Sequence, residues 1–184
     1  MKTAYFSTRD YVFAAATACA FLLVSSVIIP FTLPLRIPGL ANAAVAPFSS
    51  FFLVIALLRI GKPGALLLIT GLYALLCLAI SPVIFGFVLT GGLTAELVCT
   101  AVFRGYRRVA AAVVGAVVYA MAMFPAALYF SFLLTPARFH RPALWVGAAA
   151  ETAIGLAALA GGLAGARVAR ELSRAGKLRL EIIG

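Results

Sequence analysis

Acidic residues and histidine are scarce in this 184-residue chain, which holds five Asp or Glu and one His. Catalytic and metal sites draw largely on these residue types, and the sequence has no GxSxG motif, no HExxH motif and no Walker-type loop for ATP. The one histidine, His140, has no acidic neighbour in the sequence. These absences argue against an enzyme. They also predict that any active transport would draw its energy from a partner or an ion gradient.

Cysteine is equally sparse. Cys19, Cys77 and Cys99 stand alone in apolar stretches, without CxxC spacing and without a histidine beside them. Such isolated cysteines are typical of small packing residues, so we predict no disulfide, no metal site and no bound cofactor.

Charge is the third shortage, since 11% of the residues are charged and 65% are hydrophobic. Soluble domains average about 25% charged and roughly 45–50% apolar residues. A chain this short exposes much of its surface and cannot hide the excess in a core. We therefore predict a single all-α domain embedded in lipid. The net charge of +10 does not indicate nucleic-acid binding, because the basic residues are confined to short segments between apolar runs.

Uncharged runs long enough to cross a bilayer recur six times and predict a bundle of about six transmembrane helices. Each run ends at charge, proline or glycine, and together they cover roughly residues 8–29, 41–60, 64–80, 83–103, 108–134 and 143–175. The first should stop at Pro30. The boundary between the third and fourth is the least marked, because Ser81-Pro82 could also kink one long helix.

Basic residues predict the orientation of this bundle. Six spans would place 12 of the 15 Lys and Arg on the side that holds both termini, with only Arg36, Arg138 and Arg141 opposite. Short basic loops favour the cytoplasm. We therefore predict a plasma-membrane protein with both termini inside. Fusing the third and fourth spans would move the basic segment 104–108 outside and weaken this asymmetry.

Two carboxylates, Glu96 and Glu151, fall inside predicted spans. A charged side chain at this depth costs about 2.5–3.5 kcal/mol, so each needs a partner or a polar cavity. Glu151 could form an ion pair with Arg138 or Arg141 that seals the outer loop, or it could contact a ligand in an outward-facing pocket. Glu96 could pair with a cytoplasmic arginine or form the floor of that cavity.

Aromatic and small polar side chains supply the other candidates for this pocket, a mixture that suits a flat heterocycle. For Trp145, a place in the aromatic belt at the membrane interface is an equally good interpretation. The candidate substrate-binding residues are Glu151, Arg36, Asn42, Ser49, Phe87, Thr90, Glu96, Tyr129 and Trp145.

Small residues four apart mark several helices and allow a second helix to approach closely. Ala14 with Ala18, and Ala16 with Ala20, favour either packing inside the bundle or docking of a partner membrane subunit. For the Gly161/Gly165 pair, close internal packing is the better interpretation, and the same holds for Gly91-Gly92.

The chain resembles the S components of energy-coupling factor (ECF) transporters, which are small membrane proteins that bind vitamins and related micronutrients. The likeness rests on Thr8-Arg9-Asp10 before an alanine-rich first helix, on Ile37-Pro38-Gly39 in a proline-rich loop, and on the segment Gly91-Gly92-Leu93-Thr94-Ala95-Glu96. It covers nearly the whole chain as an architecture with short motifs.

The resemblance implies that substrate binds in the outer half of the bundle, under the first loop. It also implies that a transmembrane T component docks on Ala14, Ala16, Ala18 and Ala20, and that two cytoplasmic ATPases supply energy. The chain lacks the N-terminal histidine motif of metal-type S components, and its two carboxylates favour a ligand with a cationic or amine-bearing group. A ligand-free accessory membrane subunit and a small secondary transporter stay open as alternatives.

Overall fold

The computed structural model describes residues 6–35, 37–134 and 143–175, and these residues form six α-helices and no strand. Five helices are long and apolar enough to cross a membrane, whereas α3 has 14 residues. The predicted all-α membrane bundle is confirmed. The helices are α1 (Thr8–Thr32), α2 (Leu40–Ile60), α3 (Ala65–Leu78), α4 (Pro82–Phe103), α5 (Val109–Leu134) and α6 (Leu144–Arg174), and a 3-10 turn at Leu33–Leu35 follows α1.

The end of α1 differs from the prediction, because the helix continues through Pro30 to Thr32. A proline removes one backbone donor, which normally ends or kinks a helix. Here the Thr32 hydroxyl donates to the carbonyls of Ile29 at 3.0 Å and Ile28 at 3.4 Å. These are the bonds that a threonine hydroxyl commonly makes to the carbonyls one turn back in a helix. They do not replace the bond that Pro30 removes, which would have gone to the carbonyl of Ser26.

Helices α3 and α4 are separate, as the charge asymmetry favours. Ser81 is extended (φ −163°, ψ 131°), and its hydroxyl accepts a hydrogen bond from Val83 N–H at 3.2 Å. Pro82 is the first residue of α4, a position at which its missing N–H costs nothing. Serine before proline therefore ends one helix and caps the next.

Glycines set the close approach of α6 to α2. Gly161 lies against the Pro47 carbonyl, and a Cβ on Gly165 would lie 2.6 Å from the Phe51 carbonyl oxygen. The predicted internal packing of this glycine pair is confirmed. Gly161 contacts Pro47 and Gly165 contacts Phe51, so residue numbers increase in the same direction along both helices. Helix α6 therefore runs parallel to α2.

The described basic residues all lie toward one end of the bundle. Lys62 bonds Asp10 at 2.7 Å, which joins the α2–α3 turn to the start of α1, and Gly105 of the α4–α5 loop lies beside the Gly61 carbonyl. Because α6 runs parallel to α2, the C-terminal turns of α6, which carry Arg167, Arg170 and Arg174, lie at the same end of the bundle as the α2–α3 turn. We call this the basic end; its members are Arg9, Arg59, Lys62, Arg104, Arg107, Arg108, Arg167, Arg170 and Arg174. The side of the membrane that it faces stays a prediction.

Candidate functional site

A groove lies between α5 and α6 at the end of the bundle opposite the basic end. Its volume is about 470 Å³, and most of its wall is aromatic or aliphatic. The groove, called the α5–α6 groove below, is lined by Phe124, Pro125, Leu128, Tyr129, Phe132, Ala143, Leu144, Gly147, Ala148 and Glu151.

Glu151 is the one carboxylate in the wall of the α5–α6 groove. Its Oε2 atom is buried and has no hydrogen-bond partner within the described part of the chain. The predicted ion-pair partners, Arg138 and Arg141, lie outside the described residues. A buried carboxylate oxygen without a donor is costly unless a cation or a hydrogen-bond donor occupies the neighbouring space.

A second cavity of about 220 Å³ lies beside this groove, between the end of α1, the start of α2 and α5. Phe124 and Leu128 line both spaces. Asn42 lines the second cavity, and it lies with Ser49 around a small gap of about 20 Å³ next to α5. The structure therefore collects Asn42, Ser49, Tyr129 and Glu151 around α5 at the end of the bundle that carries the groove.

The other predicted ligand contacts are not in this group. Phe87 packs against the larger of the two clusters of buried apolar residues, and Thr90 donates to the Gly86 carbonyl at 2.8 Å. Neither residue lines these cavities. Trp145 is 76% exposed and lines a shallow apolar cleft between α6 and the start of α2, which fits the interfacial belt. Arg36 lies outside the described residues.

Glu96 requires a correction, because it lies at the basic end and is fully engaged there. Gly64 N–H donates to its Oε1 at 2.6 Å, and its Oε2 accepts from Leu67 N–H at 3.2 Å and from the Tyr106 hydroxyl at 3.0 Å. The first N–H groups of a helix have no partner within the helix. Glu96 supplies that partner for α3, so it stabilises the fold and forms no floor of a ligand cavity.

Tyr106 completes this contact from the α4–α5 loop. Burial raises the pKa of its hydroxyl well above the ordinary value, and the neighbouring Glu96 carboxylate raises that pKa further. The hydroxyl therefore stays protonated and donates to Glu96. The loop is held to α3 and α4 by this side chain, which is fully buried.

The predicted four-alanine docking surface is also corrected. Ala14 and Ala18 are buried on the inner face of α1, which continues through Phe21 and Ser25. Ala16 is exposed and Ala20 is partly exposed. Only the second pair is therefore available to a partner helix.

Several helices also carry buried hydroxyl groups. Ser25 and Tyr73 share a hydrogen bond of 3.1 Å between α1 and α3. The hydroxyls of Ser50 and Tyr119 are buried without a partner within the described ranges. Of these, Ser25, Tyr73 and Tyr119 were not predicted. Each is a hydroxyl-bearing residue inside an apolar helix, and this placement is the signal that could have identified it.

Comparisons of the chain with protein-family models, curated proteins and solved structures found no match. The fold and the residues above define a multi-pass membrane protein with a carboxylate-bearing groove at the end opposite the basic residues that the structure describes.

Proposed function

We propose that this chain is the substrate-capturing S component of an ECF-type importer in the plasma membrane, with a vitamin or related micronutrient as its ligand. The observation that carries the proposal is the buried Oε2 of Glu151, which lies in an aromatic-lined groove and has no partner among the described residues. If the basic end faces the cytoplasm, as the positive-inside rule predicts, the groove opens toward the outside. A scavenged nutrient would arrive on that side.

The chemistry of the groove favours a cationic or amine-bearing ligand. A carboxylate attracts a cation far more strongly beside an apolar wall than in water. The rings of Phe124, Tyr129 and Phe132 add faces on which a cation or a flat heterocycle can stack. A volume of about 470 Å³ falls within the usual range for small-molecule sites.

Capture alone does not move a ligand across a membrane, and the sequence offers no ATP-binding loop. In this proposal a transmembrane T component docks on the lipid-facing side of α1, where Ala16 and Ala20 permit close approach. Two ATPases supply the energy from the cytoplasmic side, next to the basic end.

The role of the Glu151 carboxylate in ligand binding can be tested on protein purified from native membranes. The protein is denatured, and the small molecules that it releases are measured by mass spectrometry. We expect wild type to release an amine-bearing compound and Glu151→Gln to release at least tenfold less, because a hydrogen bond to a charged group contributes about 1.5–3 kcal/mol. Glu171→Gln is the matched control, since it removes an exposed carboxylate from the same helix at the basic end. Equal release from wild type and Glu151→Gln would remove Glu151 from the site.

The same purified protein distinguishes the proposed importer subunit from the two alternative functions. Co-purification of a T-type subunit and two ATPases supports the proposed importer. A stable complex that releases no small molecule would favour an accessory membrane subunit, and proton-coupled uptake by the protein alone in liposomes would favour a secondary transporter.

A further inference from the structure

The largest of the described cavities lies at the basic end, far from the α5–α6 groove. It has a volume of about 590 Å³ and lies between the α2–α3 turn and the α4–α5 loop. We call it the arginine pocket; its lining is Gly61, Pro63, Ala101, Val102, Phe103, Arg104, Gly105, Arg107 and Arg108. We propose that the arginine pocket binds the phosphate headgroup of an anionic membrane lipid.

The three arginines of the pocket have no carboxylate to neutralise them within residues 6–35, 37–134 and 143–175. Asp10 bonds Lys62 and Glu171 bonds Arg174, while Glu151 lies at the opposite end. Glu96 is nearby but accepts from two backbone N–H groups and a tyrosine hydroxyl. The arginine pocket therefore has an excess of positive charge that an anion can compensate.

The backbone that carries these arginines is fixed before any ligand binds. Arg104 caps α4 in the left-handed region (φ 57°), and Gly105 (φ 146°) has a conformation that other residues rarely adopt. Tyr106 is buried and bonded to Glu96, so its side chain anchors the loop to α4. A preformed loop reduces the ordering cost of binding.

Arginine suits this ligand chemistry because its planar guanidinium can donate two parallel hydrogen bonds to a phosphate group. Arg104, Arg107 and Arg108 are all exposed, so their donors are accessible. The N-terminus of α5 begins at Val109, directly after Arg108, and its free N–H groups and dipole also favour an anion.

The apolar part of the arginine pocket favours a lipid over a free phosphate ion. The end of α4 contributes Ala101 and Val102 to the arginine pocket, and Val102 is 65% exposed. A free phosphate would leave this surface uncovered, whereas a lipid would place its headgroup on the arginines and an acyl chain along Val102. Basic pockets between transmembrane helices on the cytoplasmic side are suited to acidic headgroups.

Lipid titration of the purified full chain, read by native mass spectrometry, tests the proposal. The probes are phosphatidylglycerol and phosphatidylcholine, and the variants are the loop triple R104Q/R107Q/R108Q and the α6 triple R167Q/R170Q/R174Q. We expect wild type and the α6 triple to prefer phosphatidylglycerol, and the loop triple to bind it at least tenfold more weakly. Both triples remove three charges from the basic end, so an equal loss in both, or no loss in the loop triple, would overturn the proposal.

A further variant distinguishes a lipid from a free anion. Val102→Ser should weaken phosphatidylglycerol binding severalfold and leave inorganic phosphate binding unchanged. Full lipid affinity in Val102→Ser, or displacement of the lipid by equimolar inorganic phosphate, would reject the lipid assignment. The side chains exchanged are exposed, so thermal melting should match wild type in every variant and show that the fold is intact.

Discussion

Replacement of Gly165 by alanine should force α2 and α6 apart. A Cβ at this position would lie 2.6 Å from the Phe51 carbonyl oxygen and 3.1 Å from Phe51 Cα, and Cβ contacts under 3.0 Å are essentially never seen. Both neighbours are backbone atoms, which cannot rotate away as a side chain could. One helix must therefore shift by several tenths of an ångström, and the packing along the whole α2–α6 contact changes with it.

The magnitude follows from two opposing contributions. Overpacking of a close contact costs about 1–3 kcal/mol, and alanine gains roughly 0.5–1 kcal/mol over glycine inside a helix. We expect the free energy of unfolding of Gly165→Ala to fall by about 1 kcal/mol, near the middle of the span of roughly 0–2.5 kcal/mol that these ranges leave.

Gly162 offers a matched control on the same helix. Its added Cβ would lie 3.5 Å from a Val113 methyl group, an ordinary van der Waals distance. Gly162→Ala should therefore keep or raise stability, by up to about 1 kcal/mol. The assay is reversible unfolding in mixed detergent micelles for wild type and both variants. If Gly165→Ala is as stable as Gly162→Ala, the close α2–α6 approach described above does not exist.

Two further predictions concern the fold. Tyr106→Phe removes the hydroxyl that donates to Glu96 and should lower the unfolding free energy by about 1–2 kcal/mol; unchanged stability would show that this contact does not hold the loop. Ala18→Leu should destabilise by about 1–3 kcal/mol because Ala18 is fully buried, whereas Ala16→Leu should unfold like wild type but retain less of a T-type subunit in pull-downs. Equal stability of the two leucine variants would contradict the assignment of the inner face of α1.

Most helix boundaries were predictable from the sequence, because a membrane span needs a long apolar run and a charged side chain within the bilayer is energetically costly. The predicted bounds of the second to sixth helices lie within two residues of those observed. The first helix differs by three residues, since it continues through Pro30 to Thr32 and hydropathy does not tell whether a proline ends a helix or is accommodated within it.

The candidate site was predictable only in part. Hydropathy marks both Glu96 and Glu151 as carboxylates inside membrane spans, but it does not tell which of them the fold satisfies. The two backbone donors to Glu96 come from Gly64 and Leu67, 32 and 29 residues away in the chain. That contact arises from the antiparallel packing of α3 and α4, which no local pattern displays.

Which face of α1 is buried could not be predicted from the sequence, for a related reason. The helix is apolar on every side, so no charged stripe separates the lipid-facing surface from the core. Ala14 and Ala16 are equivalent residues in such a sequence. Packing against α2 and α3 alone decides that Ala14 is buried and Ala16 is exposed.

The most direct test of the account is the side of the membrane that each end of α6 faces, because substrate capture requires the α5–α6 groove to open outside. One cysteine at a time can be introduced at Ala143 or Ala175, which are exposed at the two ends, after the exposed Cys19 is replaced by alanine; Cys77 and Cys99 are buried and can stay. A membrane-impermeant maleimide should label Ala143→Cys in intact cells and Ala175→Cys only after permeabilisation. The reverse order, or labelling of both positions in intact cells, would contradict the proposed orientation and the capture function that depends on it.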